Sequence, residues 1–520
     1  MSDMQPVNVG LLVAHGIGQQ KRYETIRALA AALRDEIGNG QCSVIDRTGD
    51  SAQLPPSCPA VGPDSAPITL VCARKDAPPL SIHLHEAWWS DLGAGKGLFD
   101  QLRFWLWGLG QAGETVKLST SRHRTNTDQL MLMPGKDQPF DPDRGAPGHL
   151  GLIPRFALAV AAVQAVWTVM GWEALRAVLA RFVPSLAGSA LLVQYLGDVR
   201  TYTAQADPGQ ANLLDPGLPM RATIRRRMIR EMVAMGERGY DRWYVMGHSL
   251  GSVLVFNGMQ EPEPNLANYL DCDQWQRVVK AGKLATNAAY LPPKAKLSYR
   301  QMMPRRPIWL APGQGIDRTV LFANFRGLIT YGSPLDKFAA LWPRLVAINR
   351  QPGVFSPETD WLNLSDATDP VGAELQYFGG TWASSDANNR GPHNRRDATS
   401  RAFLYAHLGY FSRKGRPDTA ALKQALLDGT RLTEAFSAVD SGYGPRWLRW
   451  VMAGGGGLAL GLVLFVAASV AVKLGSAALA KFGWIQALSL ASSAKVALAG
   501  PVALVAVTVA ARWLLNRFGK

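Results

Sequence analysis

The residues with the clearest chemical potential are Gly247-His248-Ser249-Leu250-Gly251, a serine with a glycine two positions away on either side. A serine hydroxyl is a weak nucleophile until a base takes its proton and the backbone presents it to a substrate. With 51 glycines in 520 residues, the pentapeptide alone carries little weight, so its flanks have to decide. Tyr244-Val245-Met246 ends a short apolar run that reads as a buried strand. Ser252 to Phe256 opens an apolar segment that reads as a buried helix. A strand, a one-residue corner and a helix form the strained turn that exposes a nucleophilic serine. Gly247 and Gly251 are then required, because a Cβ at either position would crowd the corner. The start of the helix would offer N–H groups and positive partial charge to an anion forming at Ser249.

The elements that would carry this corner alternate between strand and helix. "VGLLVAHGIG" (9–18) reads as a strand and the run from Tyr23 to Ile37 as a helix. Residues 38–67, rich in Gly, Pro, Ser and Asp, read as loop. "SIHLHEAWW" (81–89) is the next strand, 220–241 a basic helix, 319–336 and 360–372 strand-and-turn units, and 419–427 a late helix. Such alternation predicts an α/β fold with a mostly parallel sheet flanked by helices. The expected organisation is a core in two parts, 1–97 and 197–440. An apolar insertion or cap occupies 98–196, and 441–520 follows as a C-terminal region.

That C-terminal region is of a different kind. Val451 to Val472 runs 22 residues without a charge, long enough to cross a bilayer. A second run covers 496–511. Arg446 and Arg449 precede the pair and Arg512, Arg517 and Lys520 follow it, while Lys473, Lys481 and Lys495 lie between. The balance predicts a transmembrane hairpin with both ends, and the catalytic part, on the cytoplasmic side of an inner membrane. Segments 156–172 and 182–196 are apolar enough for membrane contact but short for spanning. The net charge of +15 favours an anionic partner surface. No nucleic-acid motif accompanies it, so the basic "IRRRMIR" (224–230) reads as a solvated or membrane-facing helix surface. Cys42, Cys58, Cys72 and Cys272 have no metal-type spacing and read as reduced thiols of a cytosol-facing protein. "HLHE" (83–86) lacks a third ligand at useful spacing, so neither a metal nor another cofactor is expected.

In order along the chain, "HGIGQQ", "YLGDVRTY", "GHSLG", "TYGSPLD", "DATDPVG" and "AHLGYF" resemble the α/β-hydrolase superfamily, in particular bacterial lipase-like and GPI-inositol-deacylase-like serine hydrolases. The similarity covers roughly 7–97 and 197–412. It implies a triad in the order Ser, acid, His. Ser249 would be the nucleophile. His407 is preferred as base over His393, which lies in a polar, arginine-rich stretch. Asp369 is preferred as acid, ahead of Asp366 and Asp336. The oxyanion hole would combine the N–H of Leu250 with that of Gly16 or Ile17. His15 would hold that loop in place, and the side chain of His248 would point away from that of Ser249.

Taken together, these readings predict a membrane-anchored serine hydrolase that cleaves an acyl ester, with membrane lipid as surface and substrate. Two alternatives stay open. One is a hydrolase of a soluble ester, thioester or amide that is merely held at the membrane; the other is a non-catalytic scaffold or sensor on the same fold.

Overall fold

The structure, a computed structural model, describes residues 6–16, 20–38, 41–46, 67–74, 78–92, 198–199, 201–203, 218–261, 263–282, 284–286, 304–336, 338, 345–346, 359–366, 369, 371–372, 374–375, 378, 391–396, 407, 409–411 and 416–439. The chain divides into two units. One comprises Met1–Ala94, Asp128–Arg144 and Asp198–Tyr443, and the other Gly95–Thr127, Gly145–Gly197 and Gly444–Lys520. Every described residue belongs to the first. The segments 156–172, 182–196, 451–472 and 496–511 lie outside the described residues. Among those described, no helix is long and apolar enough to cross a membrane.

Strand β1 (Val7–Ala14, VNVGLLVA) sits at the centre because its last six residues are buried on both faces. An apolar run with no polar alternation suits a strand covered on both sides. It pairs in parallel with β4 (Leu80–Ala87) on one side and β5 (Arg242–His248) on the other. Beyond β4 lie the antiparallel strands β3 (Ile68–Cys72) and β2 (Cys42–Asp46). A separate two-stranded pair, β6 (Ala285–Thr286) and β7 (Gly315–Ile316), lies outside the main sheet. Beyond β5, β8 (Phe325–Tyr331), β9 (Asp360–Ser365) and β10 (His393–Arg396) continue in parallel. The eight strands run in the order β2-β3-β4-β1-β5-β8-β9-β10.

After β1 the chain passes through α1 (Glu24–Ile37) and builds the β4 side of the sheet. It then returns through α2 (Met220–Arg238) to place β5 on the opposite side of β1. The connections from β1 and β5 therefore run to opposite sides of the sheet, and the carboxyl ends of strands at such a switch point are where open α/β sheets bind ligands. Helix α1 buries Ile26, Leu29, Ala30 and Leu33, a 3–4 spacing that lays one face on the sheet. Helix α3 (Leu250–Met259) follows β5 and is buried at all ten positions, which accounts for its almost wholly apolar sequence. The longer of the later helices are α4 (Cys272–Ala281) and α5 (Pro417–Asp428). Asp271 caps α4 by accepting the Gln274 N–H at 2.7 Å.

Three expectations need correcting. Residues 42–46, read as loop, form the edge strand β2. Its five residues, CSVID, are too short an apolar stretch to stand out among the surrounding Gly, Pro, Ser and Asp; four of them are exposed, and pairing with β3 creates the strand. Cys42 and Cys72, read as reduced thiols, lie opposite each other in that pairing and form a disulfide; Cys272 is an exposed free thiol. The arginines of "IRRRMIR", read as a solvated or lipid-facing surface, are engaged within the protein. Arg225 lies 3.6 Å from Glu261 with both side chains buried, and Arg226 donates to the Tyr269 carbonyl at 3.1 Å. Arg227 pairs with Asp91 and donates to the Trp88 carbonyl, and Arg230 pairs with Asp271. Charge runs usually lie on solvated faces. Here α2 is packed between the sheet and the segment 261–275, so its arginines meet carboxylates and carbonyls that sequence spacing does not reveal.

Candidate functional site

Ser249 occupies the single-residue corner between β5 and α3. Its backbone has φ 52° and ψ −126°, a combination that L-residues avoid and that persists only when the surroundings enforce it. The Ser249 N–H donates to the Tyr331 carbonyl of β8 at 3.0 Å, and its carbonyl accepts from the Ser252 N–H at 2.9 Å. The Ser252 hydroxyl donates to the same carbonyl at 2.5 Å and meets the Ser333 hydroxyl at 2.7 Å. The glycines permit this corner. A Cβ at Gly251 would collide with the carbonyl oxygens of Ala14 and His15, and one at Gly247 would lie 2.7 Å from the Ser252 Cα. The Ser249 Oγ is buried and makes no hydrogen bond among the described residues.

The loop after β1 comes directly against this corner. A Cβ on Gly16 would lie 2.9 Å from the Ser249 Cβ and 2.8 Å from His248 Nδ1, so only glycine allows the approach. Ile17 lies outside the described residues. Leu250 begins α3 and is buried beside the serine. N–H groups in the first turn of a helix have no acceptor within it, and Leu250 is in that turn of α3.

His15 holds that loop, as its place in the sequence suggested. Its Nδ1–H donates to the Gly16 carbonyl at 2.6 Å, and its Nε2 accepts from the Trp89 N–H at 3.1 Å. The Trp89 indole N–H donates to the His15 carbonyl at 3.3 Å, and the two rings stack 5.2 Å apart. Burial lowers the pKa of His15 to about 4, so the ring is neutral as this bonding requires. Two neighbours of Trp89 support the same loop. Trp88 donates to the Gln20 carbonyl at 3.0 Å, and the Glu86 carboxylate accepts the Tyr23 N–H. Burial raises Glu86 to about 7 against the pull of that bond. In the "HLHE" stretch, His83 meets Thr69 and Asn8, while His85 meets the Tyr240 hydroxyl at 2.6 Å.

On the other side of Ser249, the structure brings Asp369 and His407 together. Asp369 lies in the turn after β9, and His407 in the chain after β10. His407 Nδ1–H donates to the two Asp369 oxygens at 3.0 and 2.9 Å. The Asp369 Oδ1 also accepts the N–H groups of Val371 and Gly372 at 2.7 and 2.9 Å. Burial works to raise the pKa of Asp369, but the His407 bond and charge and the two backbone donors outweigh it and hold it near 2. Asp366 directs its backbone N–H to the Tyr410 hydroxyl at 2.7 Å, and Asp336 lies beyond β8, partly buried. His393 is an exposed residue of strand β10, paired with Leu362.

His248 meets His407, a contact that its place beside Ser249 in the chain does not indicate. Its Nε2–H donates to the His407 carbonyl at 2.8 Å, and its ring lies 4.7 Å from that of His407 and 4.8 Å from that of Tyr331. Burial, followed by the neighbouring His407, lowers its pKa to about 3. It therefore acts as a neutral brace beneath His407, next to Ser249 in the chain. Ser249 Oγ and His407 Nε2 are both buried, and no hydrogen bond joins them in this structure.

No family model matches this chain, and no curated protein or solved structure matches it.

Proposed function

We propose that the protein is a membrane-anchored serine hydrolase of the α/β-hydrolase class that cleaves an acyl ester of a lipid. The observation that carries this reading is the convergence, at the carboxyl ends of the parallel strands, of a strained serine corner with a paired Asp369 and His407. The order Ser249, Asp369, His407 and their places after β5, β9 and β10 are those such a triad requires. Ser249 Oγ attacks the acyl carbonyl while His407 takes its proton, and Asp369 holds the imidazole and stabilises its positive charge. The N–H groups of Leu250 and of Gly16 or Ile17 stabilise the oxyanion. His407 returns the proton to the departing alcohol, and water attacks the acyl-enzyme by the same route in reverse. This sequence of steps needs no cofactor.

The lipid substrate is argued from location: the apolar runs 451–472 and 496–511 would hold the site at a bilayer. Fold alone would not specify it. The test is fluorophosphonate labelling of the detergent-solubilised full chain beside Ser249→Ala and His407→Ala. Labelling of the wild type alone supports an activated serine, which screening against bilayer lipids and short soluble esters then assigns to a substrate class. A folded wild type that does not label favours the scaffold reading.

Orientation has two readings. The flanking lysines and arginines favour a catalytic unit facing the cytoplasm. The Cys42–Cys72 bond favours the opposite face, because such bonds persist in oxidising compartments. Maleimide modification of protein trapped directly from cells separates them: blocked Cys42 and Cys72 place the unit on the oxidising side, and reactive thiols place it in the cytoplasm.

A further inference from the structure

Resting on the proposed triad, we infer that Tyr410 is a positioning residue for Asp369, holding that carboxylate directed at His407. The hydroxyl of Tyr410 lies 3.0 Å from Asp369 Oδ2 and 2.7 Å from the backbone N–H of Asp366. The second contact sets the direction of the first. An N–H can only donate, so the Asp366 amide occupies an acceptor site on the hydroxyl oxygen, and the single hydroxyl proton goes to Asp369.

Among the described residues, Asp369 therefore meets four donors and no acceptor: Val371 N–H and Gly372 N–H on Oδ1, Tyr410 O–H on Oδ2, and His407 Nδ1–H shared between the two oxygens. A protonated carboxyl would turn its own O–H against one of them. The backbone donors hold only Oδ1, so Tyr410 is the group that fixes Oδ2 beside His407. The arrangement is compact in sequence, because in "HLGY" the base and the hydroxyl are three residues apart, with Tyr410 and Phe411 in a turn. That turn is held in place at its far end. Phe411 adopts a left-handed φ of 51°, and its N–H donates at 2.9 Å to Asp418, a fully buried residue at the start of α5. The titratable groups around Asp369 are His407, Tyr410 and Asp366, with His248 behind His407. Burial, then the charge of Asp369, raises the pKa of Tyr410 well above the ordinary phenol value, so it stays a donor at any working pH.

The experiment is the rate of fluorophosphonate labelling of the full chain from pH 4 to 9, for wild type, Tyr410→Phe and Ser249→Ala, with thermal melting of each. Losing one bond to a charged group slows labelling of Tyr410→Phe by roughly tenfold or more. The acid limb of its profile moves up, because a carboxylate with one donor fewer holds the proton of the His407 imidazolium more strongly. A folded Tyr410→Phe with wild-type rate and limb overturns the inference and leaves the triad reading intact. Wild type that does not label, or Ser249→Ala that labels equally, overturns both. If Tyr410→Phe does not fold, replacing Tyr410 with 3-fluorotyrosine keeps the ring and strengthens the donor. The acid limb then moves to lower pH, and an unmoved limb overturns the inference.

Discussion

Two buried histidines flank the serine corner, and the same side chain meets opposite surroundings. His15, on the β4 side, has both ring nitrogens bonded to main-chain groups, Gly16 carbonyl and Trp89 N–H, and an indole stacked on its face. The Trp89 N–H leaves no room for a second ring proton, and His15 is held neutral. His407, on the β9 side, directs Nδ1 at a carboxylate held ionised by three further donors. That setting stabilises the positive charge a base acquires. The difference teaches that the partner of the ring, rather than burial or closeness to the serine, separates a histidine that shapes a loop from one that can move a proton.

The comparison breaks most readily at Asp369. Asp369→Asn keeps the shape of the carboxylate but removes its charge and can hold the wrong tautomer of His407. Fluorophosphonate labelling is expected to fall roughly 10³–10⁴-fold with little change in melting temperature. A loss under tenfold would remove Asp369 from the triad. His15→Ala tests the other side. It leaves Ser249, Asp369 and His407 in place but releases Gly16 from Trp89. Labelling is expected to fall about 10²-fold, the scale of one misplaced oxyanion donor, and the variant should also melt lower. An unchanged labelling rate would mean that the loop does not serve the anion.

The smallest effect sharpens the account of how the His15 loop is held. Glu86 is raised in the folded state to about 7, above its ordinary value, so its contribution is fully present below about pH 4.5 and is lost as pH rises through 7. Glu86→Gln stays neutral throughout and can still accept the Tyr23 N–H. The variant should therefore match wild type near pH 4.5 and be more stable at pH 8, by up to about 3 kcal/mol. Thermal melting at the two pH values measures this. Equal melting at pH 8 would show that Glu86 is not held protonated by its burial.

Much of the site is legible in the amino-acid sequence. The elbow at Ser249 can be read because each of its requirements is local: glycines two residues away, an apolar strand before it and an apolar helix after it. Asp369 and His407 can be placed by their order and by the apolar segments leading to them, although Asp366, Asp336 and His393 stay in contention. The roles of His248, Trp89 and Tyr410 are not legible in this way. "GHSLG", "HEAWW" and "AHLGYF" contain them, but nothing in these strings says which carbonyl or carboxylate each will meet.

What the sequence determined by itself is the alternation of strand and helix, the serine corner and the chain order of the candidate triad. These depend on periodicity and on backbone sterics within a few residues. Only the tertiary structure decided which carboxylate meets His407, that Cys42 faces Cys72, and that the arginines of α2 turn inward to Glu261, Tyr269, Asp91 and Asp271. Those outcomes depend on strand order, which brings together residues 30 to 136 positions apart. A hydrogen bond or ion pair acts over about 3–4 Å of space, whatever the separation along the chain.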